Sequence, residues 1–223
     1  MRTGKSKDVK WVYRHVVTEL YMEQHGHDYK MFSVCDCGKE TDAGSVSEEL
    51  AIRYAEMGKK TLLIHADLYC EERNPYQNSS IKKKGFIEYI SGGSTLKDIL
   101  CGPYRNNLYY IGRGGRMTEN KEQILCSQKA ETLLSELREE YDAIFLHTPP
   151  LTAPVSGKIL CRLTDAVLLV VAMKKTKIAQ LEEAKRQMDT LGIPIAGVMG
   201  MRGDKAVWSQ YLSRFSKENG DPS

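Results

Sequence analysis

Long apolar runs are missing from this chain of 223 residues. None approaches the roughly 18–20 consecutive apolar residues that a membrane-spanning helix needs, and no signal peptide opens the sequence. We therefore expect a cytoplasmic protein with no membrane span of its own. An excess of one charge is missing too. The formal net charge is +3, which is too small to indicate a nucleic-acid partner.

Cysteine pairs with the spacing of common redox or metal motifs are also absent. The six cysteines are scattered and include no Cys-x-x-Cys pair; they stand at positions 35, 37, 70, 101, 126 and 161. This pattern predicts reduced thiols in the cytoplasm rather than a framework of disulfides.

The remaining composition is that of an ordinary soluble domain. Hydrophobic residues make up 41% and charged residues 27% of the chain. No repeat or linker divides the sequence, and its length suits one α/β domain. We therefore predict a single domain over residues 1–223, with residues 1–8 and 217–223 disordered.

The chain is organised around a predicted strand–loop–helix–strand unit at residues 31–68. A short apolar run at 31–34 enters a loop of small and polar residues, and a helix with Leu50, Ala51 and Tyr54 at helical spacing follows. Gly58 ends this helix, and residues 61–64 form a second apolar strand. Such a βαβ unit is where P-loop proteins hold phosphates, in the loop between strand and helix.

Apolar strands continue to alternate with amphipathic helices along the rest of the chain. Further strands are predicted at 108–111, 142–146, 166–172 and 195–199, and longer helices at 9–23, 121–140, 178–191 and 206–215. This alternation predicts an α/β fold with a mainly parallel sheet and helices on both faces. Ligands of such folds bind at the carboxyl ends of the strands, so functional residues should follow Val34, Ile64, Leu146 and Met199.

Two blocks of sequence carry a family resemblance. They are residues 50–68, which run LAIRYAEMGKKTLLIHADL, and residues 141–150, YDAIFLHTPP. Both resemble the bacterial tyrosine kinases of capsule and exopolysaccharide assembly, which are deviant-Walker P-loop ATPases related to the Min and Par proteins. Shorter similarities at 120–125, 163–171 and 197–199 extend the resemblance over about residues 9–205. It implies a three-layer P-loop NTPase-like fold and a membrane-spanning chain-length regulator as partner.

The same resemblance shows that the phosphate loop is altered. Its last four positions fall on Asp42, Ala43, Gly44 and Ser45. The family has Gly-Lys-Ser/Thr-Thr there, in which the lysine contacts phosphate and a hydroxyl reaches Mg²⁺. Ala43 cannot contact phosphate, and Asp42 adds a negative charge.

The acidic residues that the resemblance associates with Mg²⁺ are largely replaced as well. The family's carboxylates fall at His65, Asp67 and His147, so only Asp67 is retained. Imidazole is a poor ligand for Mg²⁺, which prefers oxygen. Met201 stands where the family has an asparagine that reads the base. These changes predict a degenerate nucleotide site that does not use Mg-ATP.

Two regulatory features of the family are reduced in this chain. Beyond Gly203 only Tyr211 could serve as an acceptor, whereas the family carries a cluster of tyrosines there. The ring-forming Glu-x-x-Arg-x-x-Arg motif falls on Trp11, Arg14 and Val17, of which only the arginine matches. We therefore expect no ring of the family's type, although self-association through Trp11 stays open.

Three functions follow from these residues. The first is a catalytically impaired, tyrosine-kinase-like regulator or scaffold of polysaccharide biosynthesis. The second is an active ATP-dependent tyrosine autokinase that uses the displaced pair Gly38 and Lys39, where Glu40 replaces the expected hydroxyl. The third is a metal-binding or redox-sensing module, in which Cys35, Cys37, His65 and His147 would bind Zn²⁺ as a tetrahedral set.

Overall fold

The computed structural model describes residues 5–38, 41–70, 84–104, 107–115, 121–152, 155–202 and 205–207. The helices are α1 (Lys5–His27), α2 (Ala43–Glu56), α3 (Phe86–Ile90), α4 (Leu96–Ile99), α5 (Lys121–Leu125), α6 (Gln128–Glu140), α7 (Ser156–Arg162) and α8 (Ile178–Leu191). The strands are β1 (Met31–Asp36), β2 (Thr61–His65), β3 (Leu100–Cys101), β4 (Leu108–Ile111), β5 (Ala143–His147), β6 (Ala166–Ala172), β7 (Ile195–Arg202) and β8 (Lys205–Val207).

The strands form one sheet in the order β3-β4-β2-β5-β1-β6-β7-β8. All pairs from β4 to β7 are parallel, and only the outer pairs β3–β4 and β7–β8 are antiparallel. The predicted α/β fold with a mainly parallel sheet is therefore confirmed. Because β2, β5 and β1 are neighbours, their carboxyl ends bring the central loop and both predicted histidines to one edge. Among the described residues, no helix is long and apolar enough to cross a membrane.

Helices α1 and α2 cover one face of the sheet. Their apolar residues, such as Leu20 and Leu50, pack in one cluster with Phe32 of β1 and Phe145 of β5. The ring centroids of Phe32 and Phe145 are 5.7 Å apart, and Tyr54 of α2 meets Phe145 edge-on at 5.3 Å. Aromatic contacts of this kind add to the stability that burial provides.

Helices α6 and α8 contribute to two clusters that include the other residues of the same strands. Leu133 and Leu137 of α6 share a cluster with Ile144, and Met188 of α8 shares one with Leu169. Successive side chains of a strand point to opposite faces, so this division follows the alternation along each strand. Helices on both faces complete the predicted three layers.

Several boundaries differ from the predictions. Helix α1 begins at Lys5 and ends at His27, outside the predicted 9–23 at both ends. Its last turns are held because Gln24 donates to the backbone oxygen of Asp142 and accepts from the hydroxyl of Tyr54, at 2.6 and 2.9 Å. The predicted helix at 121–140 is two helices, since extended backbone at Ser127 separates α5 from α6.

The end of the described chain also differs from the prediction. Residues 205–207 form β8, where a helix was predicted to start at 206. Its antiparallel pairing with β7 supplies backbone hydrogen bonds that override the local helical pattern. The rest of that predicted helix, residues 1–4 and the segment 217–223 lie outside the described residues.

Candidate functional site

Asp42 caps the helix that follows the altered loop. One of its carboxylate oxygens accepts from the backbone N–H of Ser45 at 3.2 Å, and the other accepts from the Ser45 hydroxyl at 2.8 Å. The first amides of a helix have no partner within the helix, and aspartate is among the best residues for satisfying them. The charge that the sequence marked as unfavourable for phosphate therefore stabilises α2 instead.

Asp36 supplies a second carboxylate to the same turn. It ends β1, is only 7% exposed, and accepts from the backbone N–H of Ala43 at 3.3 Å. Its other oxygen accepts from the hydroxyl of Thr41. Asp36 is not among the site residues predicted from the sequence. The available signal was an acidic residue at the carboxyl end of a predicted strand region, where ligands of parallel sheets bind.

His65 and His147 lie side by side at the ends of β2 and β5. They are direct partners in the strand register, and their ring centroids are 5.1 Å apart. Both are almost fully buried, at 3% and 5% exposure. The His65 ring also meets Tyr110 edge-on at 5.5 Å, and its Nε2 atom is 3.5 Å from a carboxylate oxygen of Glu48.

The ring of His147 packs against the first turn of α2. A Cβ atom added to Gly44 would lie 3.2 Å from Cε1 and 3.5 Å from Nδ1 of that ring. The imidazole thus closely approaches the backbone of the altered loop. The structure brings Asp42, Ala43, Gly44, Ser45, His65 and His147 together at one edge of the sheet.

Asp67 is part of a turn just beyond β2. It is 6% exposed and accepts from the backbone N–H of Tyr69 at 2.9 Å. The hydroxyl of Tyr69 in turn donates to Glu122 and accepts from Ser156, both at 2.9 Å. The one retained acidic position therefore holds a turn that connects to α5 and α7. Lys39, the lysine of the displaced pair, lies outside the described residues.

The two cysteines do not join the histidines. Cys35 and Cys37 are fully buried in the cluster that contains Leu169 and Met188, whereas Phe32 and Val34 of the same strand belong to the α1–α2 cluster. His65 and His147 lie at alternate positions from Leu63 and Phe145, which also belong to the α1–α2 cluster. Strand alternation therefore directs the thiols and the imidazoles to opposite faces.

The predicted zinc set is wrong for this reason. Among the described residues, no group of three or more His, Cys, Asp or Glu side chains could hold a metal ion. The thiols also keep their protons: burial raises the pKa of Cys37 to about 12, and a hydrogen bond with Cys161 together with burial raises the pKa of Cys35. Zinc is bound by thiolates, and a raised pKa disfavours the thiolate form, so these two thiols are poorly suited to bind zinc.

Comparison with solved structures supports the P-loop NTPase-like fold. The kinase domain of VpsO superposes with a TM-score of 0.77 at 24% identity, over 91% of this chain and 100% of that domain. The septum site-determining protein MinD from Pyrococcus horikoshii, solved with Mg-ADP, has a TM-score of 0.60 at 18% identity, over 76% of this chain and 68% of its own. Identities this low support the fold alone.

Sequence comparison adds the relationship. No protein-family model matches the chain. It is 27% identical to the tyrosine-protein kinase CpsD of Streptococcus pneumoniae over 182 residues, which are 82% of this chain and 80% of that protein. The chain is thus similar to bacterial tyrosine-protein kinases over most of its length. The sheet expected from this similarity is present, whereas His65 and His147 stand at two of the positions where the resemblance predicts carboxylates.

Magnesium, which the bacterial tyrosine-protein kinase fold implies, does not fit this site. Imidazoles occupy two of the positions at which the resemblance predicts carboxylates, and Asp67 is engaged in its turn. The predicted position of the metal-binding hydroxyl falls on Gly44, which has none, and the hydroxyl of the neighbouring Ser45 donates to Asp42. A hard cation that prefers oxygen ligands in octahedral geometry has no such set here among the described residues.

Proposed function

We propose that this chain is a catalytically impaired, tyrosine-kinase-like domain that regulates or scaffolds the synthesis of capsule or exopolysaccharide. The observation that carries the proposal is the ring of His147 packed against Gly44. Phosphoryl transfer depends on positioned phosphates and on metal ions that neutralise the developing charge. An imidazole this close to the first turn of α2 is a poor ligand for Mg²⁺, which prefers oxygen.

The neighbouring residues support the same function. The pair of His65 and His147 is nearly fully buried, and Met201, at the predicted base-reading position, is 8% exposed at the end of β7. The core residues retain the packing of the fold, while the positions that would carry the chemistry differ. This combination favours a protein that is selected for its surface and its fold rather than for turnover.

A regulator of this kind needs a partner. The resemblance implies that this partner is a membrane-spanning chain-length regulator. We infer that such a protein recruits the chain from the cytoplasm to the inner face of the membrane. Tyrosine-kinase relatives of this chain share most of its length, which supports a whole domain as the recruited unit.

Thermal unfolding with Mg-ATP and Mg-ADP tests the proposal, run beside an assay of phosphate transfer to tyrosine. A ligand of the folded state raises its stability by about 2.7 kcal/mol at a hundred times its dissociation constant. We expect no change in Tm at millimolar nucleotide and no labelled tyrosine. A rise of several degrees would contradict the proposal.

Lys39 provides the matched variant for the competing kinase. If an active site used Lys39, Mg-ATP would raise the Tm of the wild type, and Lys39→Ala would abolish that rise. Lys175→Ala, at an exposed position in the turn after β6, would keep it. On the proposed function, all three proteins respond to Mg-ATP in the same way, with no change in Tm.

A further inference from the structure

We propose that Asp36 and Asp42 form an autoinhibitory contact, in which two carboxylates of the chain occupy the loop donors that a phosphate group would need. This inference rests on the proposed function and explains how phosphate is kept from the altered loop. The contact joins the end of β1 to the start of α2, and it requires no ligand.

Asp36 is the first half of the contact. Its carboxylate is more than nine-tenths buried and belongs to a different element from the amide that it accepts from. A buried carboxylate needs hydrogen-bond donors to offset its loss of water. The backbone of Ala43 and the hydroxyl of Thr41 provide them. Asp36 therefore ties the end of β1 to the first turn of α2 across the loop.

Asp42 is the second half. It accepts from both the backbone N–H and the hydroxyl of Ser45. These are an amide of the first turn and a hydroxyl next to Gly44, the position to which the resemblance assigns metal binding. A helix N-terminus attracts anions because its amides are free and its dipole is positive there. In this chain the attraction is satisfied internally.

Electrostatics give the contact its inhibitory effect. A phosphate brought to this turn would compete with two carboxylates for Ala43 and Ser45 and would be repelled by both, since like charges at short range in a protein interior interact strongly. The loss of the loop lysine alone removes an attraction, whereas the two aspartates add a repulsion.

Asparagine substitutions test this directly, because they keep the size of the side chain and one acceptor oxygen but remove the charge. We would compare wild type, Asp36→Asn, Asp42→Asn and the double variant, with Asp189→Asn on the exposed side of α8 as a matched control. The probe is inorganic pyrophosphate without metal, titrated against sodium chloride at equal ionic strength. The readouts are Tm and the amide chemical shifts of Ala43 and Ser45.

The expected result is a saturable rise in the Tm of the double variant by several degrees, with shifts of both amides and smaller effects in the single variants. Wild type and Asp189→Asn should not respond. A folded double variant that ignores pyrophosphate would overturn the autoinhibitory contact while leaving the proposed function intact.

A response of the wild type to pyrophosphate would instead overturn the closed site itself. If the double variant does not fold, Asp42→Asn carries the test, because asparagine is as good a helix cap as aspartate. A folded Asp42→Asn protein whose Ser45 amide does not shift with pyrophosphate would then count against the inference.

Discussion

The thiol of Cys37 lies among apolar side chains between the sheet and α8, and burial raises its pKa to about 12 from an ordinary value of 9.0. In the unfolded chain this thiol ionises near the ordinary value. Between the two pKa values the unfolded chain has released a proton that the folded chain retains. The folded state therefore loses stability relative to the unfolded state as the pH rises above about 9.

Cys37→Ala should remove this contribution. We expect the free energy of unfolding of the wild type, measured in urea, to fall more steeply between pH 8 and pH 10.5 than that of the variant. Buried Tyr13 and Tyr54, whose pKa values are also raised by burial, titrate in both proteins and cancel in the comparison. Cys126→Ala, at an exposed position, should keep the wild-type slope. Identical pH profiles for wild type and Cys37→Ala would refute this reading of Cys37.

At the scale of elements, Asp165 joins three segments at the edge of the sheet opposite to the site. Its carboxylate accepts from the backbone N–H groups of Lys30 and Met31, at 2.7 and 2.8 Å, where β1 begins. The same oxygen is paired with Arg138 near the end of α6. This contact fixes the start of β1 relative to α6 and β6, and β1 carries Asp36 at its other end.

Asp165→Ala should destabilise the protein by about 1–3 kcal/mol, because it leaves partly buried backbone donors and a guanidinium without their acceptor. Asp165→Asn keeps one acceptor oxygen and should cost less. The free energies of unfolding in urea at neutral pH check both values, and Asp189→Ala on exposed α8 should stay within about 0.5 kcal/mol of wild type. Equal stability of wild type and Asp165→Ala would show that the contact contributes nothing.

The helices and strands that could be predicted are those whose own sequence has a clear hydrophobic pattern. The wholly apolar β6 was predicted at 166–172 and α8 at 178–191, as found. The short α7 was missed, because seven residues give too few turns for a periodic stripe. The edge strands β3 and β8 were missed because distant strand pairing, rather than a local pattern, decides their conformation.

The site shows the same limit. Sequence placed His65 and His147 at one edge, because both directly follow or end apolar strands of a parallel sheet. The sequence alone did not show that Cys35 lies on the opposite face of the sheet from these histidines. The face on which a strand residue lies is known only when the register of the strand and the helices that cover it are known. The contact of Asp36 with Ala43 likewise depends on the path of the loop between them, which no local pattern predicts.

At the scale of the whole molecule, the residues of α1 determine whether this chain could form a ring with other copies of itself. Of the three positions on which the family's ring motif falls, Val17 is 1% exposed and packs within the α1–α2 cluster. It therefore cannot present a side chain to a neighbouring subunit. Trp11 is 64% exposed and stacks on His15 with ring centroids 5.6 Å apart, while Arg14 is exposed.

Sedimentation velocity with and without Mg-ATP tests what this arrangement permits. Two of the three residues of the ring motif that the resemblance implies are replaced, and on the proposed function no nucleotide binds through which assembly could be controlled. We expect one species, far smaller than a ring of 25.2-kDa chains, whose sedimentation coefficient does not change with Mg-ATP. Any weak association through Trp11 should increase with protein concentration and disappear in Trp11→Ala. A large species that forms or dissociates with nucleotide would contradict both the expected absence of a ring and the proposed function, because such control requires a nucleotide to bind.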